Sequence, residues 1–139
     1  MATYNKFNSF VEDVAEKVHN LGADTLKVAL SNTAPVATNT IFSNITEISA
    51  GNGYTAGGTA ASIASSAQTS GTYKLTLNDV TFTASGGSIG PFRYAVLYNS
   101  TAASGNLISW FDYGSSITLA TGESLLVDFD ATNGVLTIA

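Results

Sequence analysis

His19 is the only histidine of the chain and the only side chain whose ordinary pKa suits acid–base work near neutrality. A serine nucleophile would need that histidine backed by an acid. His19 instead falls off the apolar stripe of a predicted helix and near its end, where the helix dipole favours a cation. It reads as a solvated residue. Asp128 and Asp130 stand two apart on a predicted strand and so share a face. With Asp112 nearby they could form an acid pair or a calcium site. The alternative is a solvent face opposite Leu125, Val127 and Phe129, and no Asp-x-Asp-x-Asp-Gly spacing supports calcium. The glycines of residues 51–58 lack the strand-to-helix context and the following lysine of a phosphate loop. There is no cysteine, so a thiolate metal site is excluded. The residues offer no enzymatic device, and neither cofactor nor metal is expected.

The aromatic residues carry more information. Phe92, Tyr94 and Tyr98 are expected on one face of a strand, while Trp110 and Phe111 must point to opposite faces. Exposed rings could stack on a sugar or fill a subunit interface. Otherwise they belong to a two-sided core whose second face is covered by the N-terminal helix. That helix carries Phe7, Phe10, Val11, Val14, Ala15, Val18 and Leu21 at three- and four-residue steps. The stripe can pack on its own sheet or on a neighbouring copy. The interface candidates are therefore Phe7, Phe10, Val14, Tyr54, Tyr98, Trp110 and Phe111.

The elements that position these residues follow from periodicity. A helix is predicted over about 6–21, with Asn8 or Ser9 as cap, Glu12 completing a capping box, and Gly22 as the stop. Beyond it the chain reads as strand and turn. Alternation marks Leu26–Ser31, Tyr73–Leu77, Val80–Ala84, Phe92–Tyr98, Leu107–Tyr113, Ile117–Leu119 and Leu125–Phe129. Thr40–Ile48 and Thr59–Thr69 are weaker strand candidates, with a glycine-rich loop around Tyr54 between them. Asn133-Gly134 predicts a hairpin leading to a last strand at Val135–Ile138. About eight or nine short strands at this spacing predict an antiparallel β-sandwich or barrel, jelly-roll-like, with one N-terminal amphipathic helix. The 139 residues are expected to form a single domain.

Charge narrows the partners. Only 11% of residues are charged, against roughly 25% in an average soluble protein, and Ser, Thr, Asn and Gly take their place. Such a neutral, polar surface opposes little repulsion to packing against copies of itself or a lattice. The net charge is −5 and the five basic residues are scattered, so neither nucleic acid nor an anionic membrane is an expected partner. The start, Met-Ala-Thr-Tyr-Asn-Lys-Phe, lacks the layout of a secretory signal, and no window is apolar enough to span a membrane. Synthesis in a cytoplasm is the expectation.

Several strings resemble a group of small proteins from tailed bacteriophages and prophages. They include Val18-His19-Asn20-Leu21-Gly22, Leu30-Ser31-Asn32-Thr33-Ala34-Pro35 and Glu47-Ile48-Ser49-Ala50-Gly51-Asn52-Gly53-Tyr54. They continue with Gly90-Pro91-Phe92-Arg93-Tyr94-Ala95-Val96-Leu97-Tyr98-Asn99, Trp110-Phe111-Asp112-Tyr113-Gly114 and Val127-Asp128-Phe129-Asp130. The resemblance spans nearly the whole chain. It implies a virion structural protein, above all a head decoration or capsid cement protein on the capsid surface. The implied partners are the major capsid protein and copies of itself, as a trimer. The alternative is a tail or host-surface component that binds glycans through Tyr54, Tyr98 or Trp110.

Overall fold

The computed structural model describes residues 2–139. It is built from antiparallel strands with one short helix, in the order β1 (Thr3–Lys6), α1 (Phe10–Ala15), β2 (Leu26–Ser31), β3 (Thr59–Ala61), β4 (Ile63–Thr69), β5 (Thr72–Leu77), β6 (Val80–Thr83), β7 (Ile89–Asn99), β8 (Leu107–Leu119), β9 (Ser124–Val127) and β10 (Leu136–Ile138). They form an open five-stranded sheet, β1-β8-β7-β2-β3, a three-stranded sheet, β10-β5-β4, and the pair β6-β9. The arrangement is sandwich-like. The expected mainly β, antiparallel class with a helix near the N-terminus is what the chain adopts.

The five-stranded sheet is apolar on both faces. Leu26, Val28, Leu30, Phe92, Leu97 and Ile108 face inward, against Leu75 and Leu77 of β5, Phe82 of β6 and Val127 of β9. The opposite face buries Ala29, Tyr94, Val96, Tyr98, Leu107 and Trp110. The expected cover for that second face was the helix. The cover is instead Phe7 with Ala37, Phe42 and Ile45 of the segment between β2 and β3. Phe42 stacks on Tyr98 at 4.1 Å between centroids, and Phe7 lies 4.5 Å from Trp110. Residues 40–48 are accordingly not a strand. Asn44 Oδ1 accepts from the backbone N–H groups of Thr40 and Ile41 and folds the segment into a short 3₁₀ turn, Phe42–Asn44.

The predicted helix over 6–21 is corrected at both ends. Residues 3–6 pair with Ser109–Asp112 as a sheet strand, since Phe7 gains more by filling the outer core than by extending a helix. At the other end Lys17 adopts φ 68°, Val18 N–H bonds the Asp13 carbonyl, and Lys17 N–H bonds that of Val14. This is a Schellman stop made without glycine, five residues before Gly22. Ser9 makes no side-chain cap, so the expected capping box is not formed.

The β7–β8 ladder is irregular at three points, between Ile89 and Phe92, between Phe92 and Tyr94, and between Leu97 and Tyr98. Between Phe92 and Tyr94 the register slips, with Gly114 of β8 at φ 85°. Phe92 enters the inner core while Tyr94 and Tyr98 face outward, which overturns the expectation that all three share a face. Trp110 and Phe111 do take opposite faces. The Ile117–Leu119 segment is not a separate strand but the end of the thirteen-residue β8. Asn133-Gly134 turns the chain, Gly134 N–H bonding the Asp130 carbonyl, yet its flanking strands do not form a hairpin. β9 pairs with β6, and β10 pairs with β5.

Candidate functional site

The helix stop at Lys17 and the turn at Gly134 together shape one end of the sandwich. The stop leaves α1 only six residues long, so Phe10 is buried while Val11 stays outside. The turn lays β10 along β5; a side chain at Gly134 would press on the Leu75 carbonyl and on Lys74. Between β1, α1 and β10 lies a groove of about 670 Å³ lined by Tyr4, Lys6, Phe10, Val11, Val14 and Leu136 to Ile138. A second groove of about 730 Å³ adjoins it, sharing Tyr4, Gly134 and Val135, and is lined by Ala2, Phe111, Leu126, Asp128, Phe129 and Asp130 among others.

Five large apolar side chains are exposed among the described residues: Tyr4 (41%), Val11 (55%), Val36 (53%), Leu126 (51%) and Ile138 (40%). All but Val36 line these two grooves. Scattered exposed apolar residues are ordinary, whereas a contiguous group marks a contact surface. Tyr4 bridges the grooves, its ring 5.6 Å from Phe111 in an edge-on contact, and Phe111 in turn meets Phe129 at 5.9 Å.

The interface candidates divide in two. Phe10, Val14 and Phe111 line the grooves. Phe7, Tyr54, Tyr98 and Trp110 are buried in the two cores. Tyr54 accepts the Leu30 backbone N–H at 3.0 Å and donates to Glu47 Oε1 at 2.7 Å. Burial pushes its phenol far above the ordinary range. Tyr98 donates to the Gly57 carbonyl at 2.7 Å. As placed, none of Tyr54, Tyr98 and Trp110 offers an open ring face to a sugar. Tyr4, Leu126 and Ile138 were missed. The available signal for Leu126 was its outward position between half-buried Leu125 and buried Val127; Tyr4 was hidden by the assumption that the helix began close by.

The polar candidates take structural roles. Arg93 donates to both carboxylate oxygens of Asp112, at 2.8 and 3.0 Å, and holds its pKa below the usual carboxylate value together with the Gly114 N–H. Asp130 accepts the backbone N–H groups of Thr132 and Asn133, which lower its pKa in the same way. No cluster of three or more His, Cys, Asp or Glu able to hold a metal occurs among the described residues. His19 is not solvated as expected: the early helix stop carries it inward against Phe10 and Asn99, and burial lowers its pKa.

No family model, no curated protein and no solved structure matches the chain.

Proposed function

We propose that this chain is a structural component of a tailed-phage particle, a decoration or cement protein that binds the outside of the head lattice and stabilises it. The observation that carries this reading is the gathering of four of the five exposed large apolar side chains into one pair of grooves. The surface around them is poor in charge, with Lys, Arg, Asp and Glu at 11% of the sequence. The resemblance of its strings to small phage proteins supports the same reading.

The mechanism is one of many modest contacts. Each copy lays the apolar rim around Val11, Leu126 and Ile138 on major capsid protein, and its neutral Ser/Thr/Asn surface packs close without charge repulsion. A stable contact of this kind buries roughly 1,200–2,000 Å² in total. Repetition over the shell converts moderate single affinities into strong resistance to expansion of a filled head.

Deletion of the gene from the parent phage tests the reading. Heads should assemble, carry DNA and then rupture at lower temperature or on osmotic shock, and added protein should restore them. Heads of unchanged tolerance would overturn the cement role. So would cryo-EM density for this chain confined to the tail.

A further inference from the structure

We propose that two copies of this chain pair through β1, strand against strand, across a two-fold axis at Tyr4. The pairing is a property of the chain itself and stands independently of the capsid reading. β1 is the outer strand of the five-stranded sheet, so one row of its backbone groups has no strand beside it. Among the described residues, Thr3–Lys6 make no backbone hydrogen bond outside the ladder to β8. The one side-chain bond on this segment is Asn5 Nδ2 to the Thr3 carbonyl at 3.2 Å. Such an edge is a template for another extended backbone.

The charges choose the partner and the register. Lys6 is the only charged residue lining the first groove, and Asp128 and Asp130 are the only charged residues lining the second. Ala2, just before β1, lines the second groove, and Lys6, at the end of β1, lines the first. The Lys6 end of the strand thus borders the groove with the cation and the Ala2 end borders the groove with the acids, which is the self-complementarity that a two-fold contact requires. Opposed residues of antiparallel strands share a face of the pleat. Centring the axis on Tyr4 satisfies this: Tyr4 faces Tyr4, Thr3 faces Asn5, and Lys6 faces Ala2. Each Lys6 ammonium then reaches the Asp128–Asp130 end of the other copy, twice per dimer. Centring on Asn5 would set Lys6 beside Tyr4 and leave the acids unmatched. The longer open edge, β4, has the sequence Ile-Ala-Ser-Ser-Ala-Gln-Thr and carries no charge to complement.

Sedimentation equilibrium of the purified full chain should show a monomer–dimer equilibrium that weakens with salt. Lys6→Glu and Asp128→Lys should each weaken the dimer about tenfold or more, because each places like charges together. The double variant should recover most of the loss. Ala67→Lys on β4 should change nothing. As a second test, Tyr4→Cys should form a disulfide-linked dimer under mild oxidation, since the chain has no other cysteine. A chain that is monomeric at all concentrations or trimeric would overturn the proposal. So would a dimer indifferent to Lys6→Glu, a dimer broken by Ala67→Lys, or a Tyr4→Cys variant that stays monomeric on oxidation.

Discussion

Asn99 Nδ2 lies 3.0 Å from His19 Nδ1 and ties together residues 80 positions apart in the chain. The Asn99 amide has one orientation, because its Oδ1 accepts the backbone N–H groups of Thr101 and Ala102. Its nitrogen donates to His19 and to Asp24 Oδ2 at 2.6 Å. His19 Nδ1 is therefore an acceptor, and its proton sits on Nε2. Nε2 is 3.9 Å from Asp13 Oδ2, too far for a hydrogen bond. Protonating Nδ1 would turn a hydrogen towards the Asn99 donor.

The first prediction is a pH dependence. Burial depresses the folded pKa of His19, outweighing the attraction of Asp13 and Asp24. Between the folded value and the unfolded value of about 6.5, the unfolded chain binds the extra proton. Stability contributed by neutral His19 is thus present above pH about 6.5 and is lost as pH falls through the folded pKa. Thermal unfolding followed from neutral to mildly acidic pH should show a falling midpoint, and His19→Gln should flatten that slope. The lowered pKa values of Asp112 and Asp130 act in a separate, more acidic window, where their protonation removes stability.

Tyr54→Phe removes a hydroxyl that serves two buried partners, Leu30 N–H and Glu47. Glu47 Oε1 keeps the Gly57 N–H at 2.6 Å, but Leu30 N–H is left without its acceptor. The expected cost is about 1–3 kcal/mol by denaturant titration. A neutral result would show that water takes the place of the hydroxyl.

Two glycines with similar backbones should respond differently to alanine. Gly58 has φ 77° and a Cβ there would run into the Val28 carbonyl, whereas Gly114 has φ 85° and open space around it. Gly114→Ala should cost about 1–2 kcal/mol, the ordinary left-handed penalty. Gly58→Ala should cost clearly more, or prevent folding, because β2 and the loop leading into β3 would have to separate. Equal costs in unfolding titrations would contradict the close approach.

Groove residues should separate binding from stability. Phe10→Ala deletes a buried ring and should destabilise the chain by about 3–5 kcal/mol. Val11→Ser and Leu126→Ser, both more than half exposed, should change stability by about 0.5 kcal/mol or less. If the grooves are the capsid contact, the latter two should nonetheless reduce binding to undecorated heads in a pelleting assay. Unchanged binding would move the contact elsewhere.

Much of the sheet was legible from alternation alone. Leu26–Ser31, Val80–Thr83 and the centre of β7 lie where period two put them, because a pleat exposes alternate residues to opposite surroundings whatever strand lies beside it. The helix was half legible. Its stripe was real for Phe10 and Val14, but Phe7 obeyed the sheet rather than the helix, and Leu21, buried in the same core as Phe10, lies beyond the helix. Nothing local marks Lys17 as the residue that turns left-handed. The candidate site was less legible still. Whether Tyr98 is open or covered depends on Phe42, more than fifty positions away, stacking on it.

Composition, charge and local period thus determined the fold class, many of the strand-forming segments and the low charge of the chain, since each is a property of the residues and their near neighbours. Partner choice among strands belonged to the tertiary structure. Asn133-Gly134 encodes a turn, but β10 joins β5 rather than β9 because Val135 and Leu136 bury against the inner core there. Which apolar residues remain uncovered was decided in the same way. Exposure is what is left after every distant segment has docked, and no window of sequence contains that information.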